Sequence, residues 1–149
     1  MQRHDRDLEE RTFKFAVAII KFLWKLPRAK EIDAIKYQLS KSGTSIGANY
    51  EEAQGAFSKS DFKYKIGICF RESRETNYWL RLIKEANIVS GGDLESLIAE
   101  SGELKRIFGT IAPGARLRTG DARRGPFHGS LFPAFTIPAK PLPPDRSEL

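Results

Sequence analysis

Residues 38–53 read Gln38-Leu39-Ser40-Lys41-Ser42-Gly43-Thr44-Ser45-Ile46-Gly47-Ala48-Asn49-Tyr50-Glu51-Glu52-Ala53. This stretch lies inside a longer periodic run from about Glu31 to Ala56. Ile35, Leu39, Ser42, Ile46, Asn49, Ala53 and Ala56 recur at alternating spacings of four and three, the stripe of a helix packed along its length. Gly43 and Gly47 stand one turn apart within it. A glycine costs about 1 kcal/mol against alanine in a helix interior, so the pair predicts the close approach of a neighbouring backbone. Gly43-Thr44-Ser45-Ile46-Gly47 is no phosphate loop, because it lacks the Gly-Lys-Ser/Thr ending and follows no strand.

Three more helices read outward from this one. The first runs from about Asp7 to Leu26 and stops at Pro27. Its predicted core face is Phe13, Val17, Ile20 and Trp24, widened by Ala16, Ile19 and Leu23. The third runs from about Ser60 to Ile88, with a seam of Phe62, Ile66, Cys69, Ser73, Thr76, Leu80, Ile83 and Asn87. Ser58 or Ser60, with Asp61, offers its N-cap. Tyr64, Ile68, Trp79 and Leu82 form a second apolar track, so this helix should touch two neighbours, or a neighbour and another subunit. The fourth runs from about Asp93 to Ile111 on Leu94, Leu97, Ser101, Leu104, Phe108 and Ile111. Short links force antiparallel neighbours. The expected fold is an all-α, up-down-up-down four-helix bundle over residues 1–111. Antiparallel register places Ser42 near Thr76 and Asn49 near Cys69, a polar layer across the core.

Composition limits the function. The chain has 149 residues and a net charge of +6, with a mean hydropathy of −0.42. Its one cysteine, Cys69, excludes an internal disulfide framework, and its two histidines, His4 and His128, leave little for metal or acid–base chemistry. The start carries charges of both signs and no apolar signal core. The Phe13–Leu26 stretch is interrupted by lysines and too short for a membrane span. The chain therefore reads as cytoplasmic. Seven of its eight prolines lie beyond Ile111, and residues 112–149 carry six basic against three acidic residues. That segment is expected to be a low-complexity, disordered basic tail. Residues 1–111 carry 19 basic against 16 acidic residues, a net of +3.

The Gln38–Ala53 stretch strongly resembles the signature of the bacterial four-helix bundle proteins, also called 23S rRNA intervening-sequence proteins or S23 ribosomal proteins. The match continues through Ser58-Lys59-Ser60-Asp61-Phe62-Lys63-Tyr64-Lys65-Ile66 and resumes at Arg71-Glu72-Ser73-Arg74-Glu75-Thr76-Asn77-Tyr78-Trp79-Leu80. It covers roughly residues 8–111 and does not extend into the tail. Ser42, Gly43, Ser45, Gly47, Asn49, Glu52, Glu72, Glu75 and Trp79 carry it. The resemblance implies a left-handed antiparallel bundle that often assembles into a homopentameric ring, with no enzymatic activity and no cofactor. A related branch, the accessory variability protein of diversity-generating retroelements, is a basic pentameric barrel that binds RNA and the reverse transcriptase.

The residues themselves suggest no catalytic or metal centre. A di-iron bundle would want Glu-x-x-His on two helices, and position 75, where that histidine would stand, is a glutamate. Glu72 and Glu75 read instead as ion-pair partners of Arg71 and Arg74, of cations across helices, or of cations across a subunit boundary. Cys69 reads as a small buried hydrophobe. Ser45 and Asn49 read as close-packing residues. Tyr78 and Trp79 read either as base-stacking rings or as core and subunit contacts. Lys36, Lys41, Lys59, Lys63, Lys65, Arg71, Arg74, Arg81 and Lys84 are the candidate nucleic-acid contacts. Two functions follow: an oligomeric accessory protein on structured RNA, or a protein–protein scaffold assembled through the third helix.

Overall fold

The computed structural model describes residues 3–112, with side chains from Asp7 onward. Four helices follow one another: α1 (Arg3–Leu23), α2 (Lys30–Gln54), α3 (Lys59–Glu85) and α4 (Gly92–Ile111). The expected basic tail, from Pro113 on, lies outside the described residues.

Local chemistry sets the ends of these helices. Ser58 caps α3, its hydroxyl accepting the Asp61 N–H at 3.0 Å, while the Asp61 carboxylate accepts the Phe57 N–H at 3.2 Å. This reciprocal pair satisfies two amides left open at the helix start. At the far end Asn87 adopts a left-handed φ of 53°, which terminates the helix. Asn87 is therefore exposed beyond α3 and is not the last residue of its seam. A further left-handed backbone at Gly91, φ 129°, starts α4.

Each helix packs antiparallel on the next, and α1 closes against α4 by a slighter contact. The result is the expected four-helix bundle. Its centre is filled by Ile19, Leu39, Ile46, Ile66, Leu80, Leu104 and Phe108, all fully buried. Tyr50 meets Phe108 edge to face at 5.6 Å between ring centroids.

The two glycines of α2 explain how α1 sits. A Cβ at Gly43 would lie 2.9 Å from an Ile19 side-chain carbon, and one at Gly47 would lie 3.2 Å from the Thr12 carbonyl oxygen. The predicted close approach is present, and α1 makes it. The face of α1 that makes it is not the one the spacing suggested. Thr12, Phe15, Ile19, Phe22 and Leu26 are buried, whereas Phe13 is 66% exposed and Trp24 77%, with Val17 also exposed. Alpha1 is apolar on two sides, and periodicity ranked the wrong one first. Thr12 is the reason its inward face reads as less apolar. Its hydroxyl is satisfied at 2.9 Å by the Leu8 carbonyl of its own helix, which removes the cost of burying it.

The same device replaces the expected cross-helix polar layer. Ser42, Ser73 and Thr76 donate to the carbonyls of Leu39, Cys69 and Glu72 within their own helices. Half-buried Asn49 donates to the Ser45 carbonyl. Of these core residues, Cys69 alone crosses from α3 to α2, its thiol donating to the Ile46 carbonyl at 3.4 Å. Ser42 and Thr76 do not bond to one another, nor do Asn49 and Cys69.

Two glycine substitutions separate packing from propensity. Gly43→Val should lower stability by about 1–3 kcal/mol through overpacking against Ile19. Gly67→Ala on α3, where a Cβ meets nothing within 4 Å, should raise it by up to about 1 kcal/mol. Urea unfolding followed by circular dichroism reads both.

Candidate nucleic-acid interface

Helix α3 lies between α2 and α4, and its polar residues divide between those two sides. The α2 side holds the carboxylates of the signature. Lys65 reaches across to pair with Glu52, and this bond holds its ammonium above the ordinary lysine range. Trp79, half-buried, donates its indole N–H to Glu75 at 3.2 Å, and Tyr78 stands edge-on to the Trp79 ring at 5.1 Å. Glu72 is half-buried. Desolvation pushes its carboxyl above the ordinary 4.5, neighbouring Glu75 adds to this, and Lys41 on α2 and Arg71 oppose it. The salt bridges expected of Glu72 and Glu75 do not form among the described residues. Ser45 bonds back to the Lys41 carbonyl. Cys69 is fully buried and its thiol is pushed up to about 12, chiefly by burial, so it stays protonated and unreactive.

The α4 side holds most of the cations, with the Lys84–Glu95 ion pair joining α3 to α4. Phe70 packs over Gly109, where a Cβ would come within 2.8 Å of its ring. Two turns further, the Asn77 amide donates to the Ser101 hydroxyl at 3.0 Å and the Ile98 carbonyl at 3.2 Å. These contacts fix the antiparallel register of α3 on α4. Arg74 lies between them with its guanidinium 5.8 Å from the centroid of the Phe70 ring. Arg81 donates through Nε to the Asn77 carbonyl oxygen at 3.0 Å. Lys63 stands seven residues before Phe70, on the same helix face. On α4, Ser101, Lys105 and Gly109 follow at four-residue intervals, so the register sets Lys105 opposite Arg74.

The nine candidate contacts therefore do not form one surface. Lys65 and Lys84 are engaged by Glu52 and Glu95, and the Lys84 ammonium is held above its ordinary range by that partner. Lys36 and Lys41 lie on α2, and Lys59 opens α3. Lys63, Arg71, Arg74 and Arg81 remain on α3, none of them in a salt bridge among the described residues. Lys105 joins them and was missed from the sequence. Its signal is the four-residue step from Ser101 to Gly109, which is readable only once the register of α3 on α4 is known. Among the described residues no group of three potential metal ligands is gathered, and no helix is long and apolar enough to cross a membrane.

The fold and this charged seam define a small all-helical bundle protein. The chain belongs to the 23S rRNA-intervening sequence protein family, whose model matches residues 4–110. It is similar to a crystal structure of a protein of unknown function from the S23 ribosomal protein family of Bacteroides thetaiotaomicron. The two are 33% identical with a TM-score of 0.64, over 70% of this chain and 96% of that one. No curated protein matches the chain significantly.

The buried carboxyl gives a pH signature. The folded state raises the Glu72 pKa, so it binds the proton more tightly than the unfolded chain does. Stability from this group is complete below the ordinary 4.5 and is lost as pH rises through the raised value. Glu72→Gln should therefore unfold at a higher temperature than the parent at pH 7. The gap should close near pH 4, and thermal melts at the two pH values read this directly.

Proposed function

We propose that the chain is a non-enzymatic, homo-oligomeric accessory protein that associates with structured RNA through the α3–α4 seam. The observation that carries this reading is the run of cations Lys63, Arg74, Arg81 and Lys105, none of them in a salt bridge among the described residues. Cations left free of carboxylates are available to phosphate. Membership in a family described by an rRNA intervening sequence agrees with it.

Self-association is supported by the outer side of α1. Phe13 and Trp24 are largely exposed there, and Tyr37 of α2 is 65% exposed. Large exposed aromatic side chains of this kind are enriched where proteins meet one another. The pentamer implied by family resemblance would raise the +3 of residues 1–111 to about +15 per assembly, which strengthens phosphate binding. A reverse-transcriptase-like protein is a further partner that the resemblance suggests.

The same exposed track favours a second reading, a protein–protein scaffold with no nucleic-acid role. Fluorescence anisotropy with a structured RNA, over a salt titration, separates the two. The full chain and residues 1–111, once checked for helical content, should both bind, with affinity falling steeply as salt rises. Binding by the full chain alone would reduce the effect to the tail's charge, and no binding at low salt would leave the scaffold. Light scattering should give a mass well above 16.8 kDa for the parent, and Trp24→Glu should lower it.

A further inference from the structure

The seam's layout says more about the form of RNA it can hold. Lys63, Arg74 and Arg81 lie on one face of a single unbroken helix of 27 residues. Lys63 and Arg81 are roughly 27 Å apart at ~1.5 Å per residue, on the order of one duplex turn. Positions 63, 67, 70, 74, 77 and 81 of that face contain no acidic residue. Helix α4 runs alongside and adds Lys105 opposite Arg74. The cations are also braced. Arg74 rests against the Phe70 ring and Arg81 is held by Asn77, so ordering them on a ligand costs less side-chain entropy.

What the seam lacks is a stacking platform. Proteins that hold single strands interleave cations with flat aromatic faces on which successive bases stack. Here Phe70 is spent, one region of its ring against Gly109 and Arg74 over its face. Tyr64 and Tyr78 each follow a seam residue by one position, about 100° round the helix. They are fourteen residues apart, roughly 21 Å along α3, while successive bases rise by only ~3.4 Å. No two neighbouring bases of one strand can use both rings. Phe13 and Tyr37 belong to α1 and α2 and Trp24 directly follows α1, none of which forms the seam.

We infer that the α3–α4 seam is a rail for the phosphate backbone of double-stranded RNA, a stem bound without regard to its base sequence. This rests on the RNA reading above and narrows it. Phosphate contacts position a protein on a duplex but carry no sequence information, and double-stranded RNA is recognised mostly by its shape. A row of cations along one helix face, two of them braced by neighbouring side chains, matches that mode of binding.

The test uses the full chain and three probes of equal length: two RNA duplexes of unrelated sequence and one unstructured single strand. The two duplexes should bind within about twofold of each other, and the single strand at least tenfold more weakly. Arg74→Gln, Arg81→Gln and Lys105→Gln should each weaken duplex binding. Each should also reduce the slope of log affinity against log salt by about one. Lys105 makes no side-chain bond among the described residues, so its variant keeps the test sound if either arginine variant loses helical content. A single strand bound as tightly as the duplexes, with the three variants still impaired, overturns the duplex rail and leaves RNA association standing. Duplex binding untouched by all three variants also overturns the rail. No binding of any probe at low salt removes the RNA reading itself.

Discussion

Two glycines one turn apart set how closely the first helix can lie on the second. At Gly43 the limit is the Ile19 side chain and at Gly47 it is the Thr12 backbone. Alpha1 has two apolar sides, and burial alone would accept either. Close approach accepts only the side whose small residue, Thr12, lets backbone come to backbone, with Ile19 filling the space two turns on. Once that side is inward, Phe13 and Trp24 must face outward. The apolar surface available for assembly is thus a consequence of two missing Cβ atoms on a different helix.

Helix α3 carries the other half of the molecule's character. Its buried row of Ile66, Cys69, Ser73, Thr76, Leu80 and Ile83 completes the core. On one flank stand carboxylates, an indole and a lysine already paired. On the other stand Lys63, Arg74 and Arg81, in no salt bridge among the described residues, with Lys84 paired to Glu95 of α4. The separation follows from helical geometry: residues seven apart share a face, and residues one apart are about 100° removed. Arg74 and Glu75 are chain neighbours, yet the first lies over Phe70 and the second accepts from Trp79. A net charge as small as +3 therefore conceals a surface that is locally much more basic.

Much of this was legible beforehand. Helix number, order and approximate ends follow from spacing and from Pro27, Ser58 and Pro113, and the seams of α3 and α4 match most of their buried residues, whereas that of α2 found Leu39, Ser42, Ile46 and Ala53 but missed Ile32 and Tyr50. The inward face of α1 was not legible, because a buried threonine that bonds to its own helix scores as polar in any periodic reading. The polar core residues misled for the same reason. Ser42, Ser73 and Thr76 suggested partners across the core, while each finds a carbonyl three or four residues back in its own helix. Which of nine basic residues belong together depended on register, and register became fixed only through Asn77 on Ser101 and Phe70 on Gly109. Lys105 was invisible until then.

The four sides of the bundle are not equally cohesive. Alpha1 and α4 meet along an open groove lined by Phe15, Ala18, Ser96 and Leu97. The charged links across this edge are a two-pronged Arg11–Glu100 contact, at 2.6 and 2.9 Å, and a Lys25–Asp93 pair at the other end. Both links are solvent-exposed, and pairs of that kind weaken as ions are added. The molecule is thus two hairpins, α1–α2 and α3–α4, joined firmly through α2 and α3 and only latched at the opposite edge. Local opening is therefore expected first at this latched edge, and added salt should ease it.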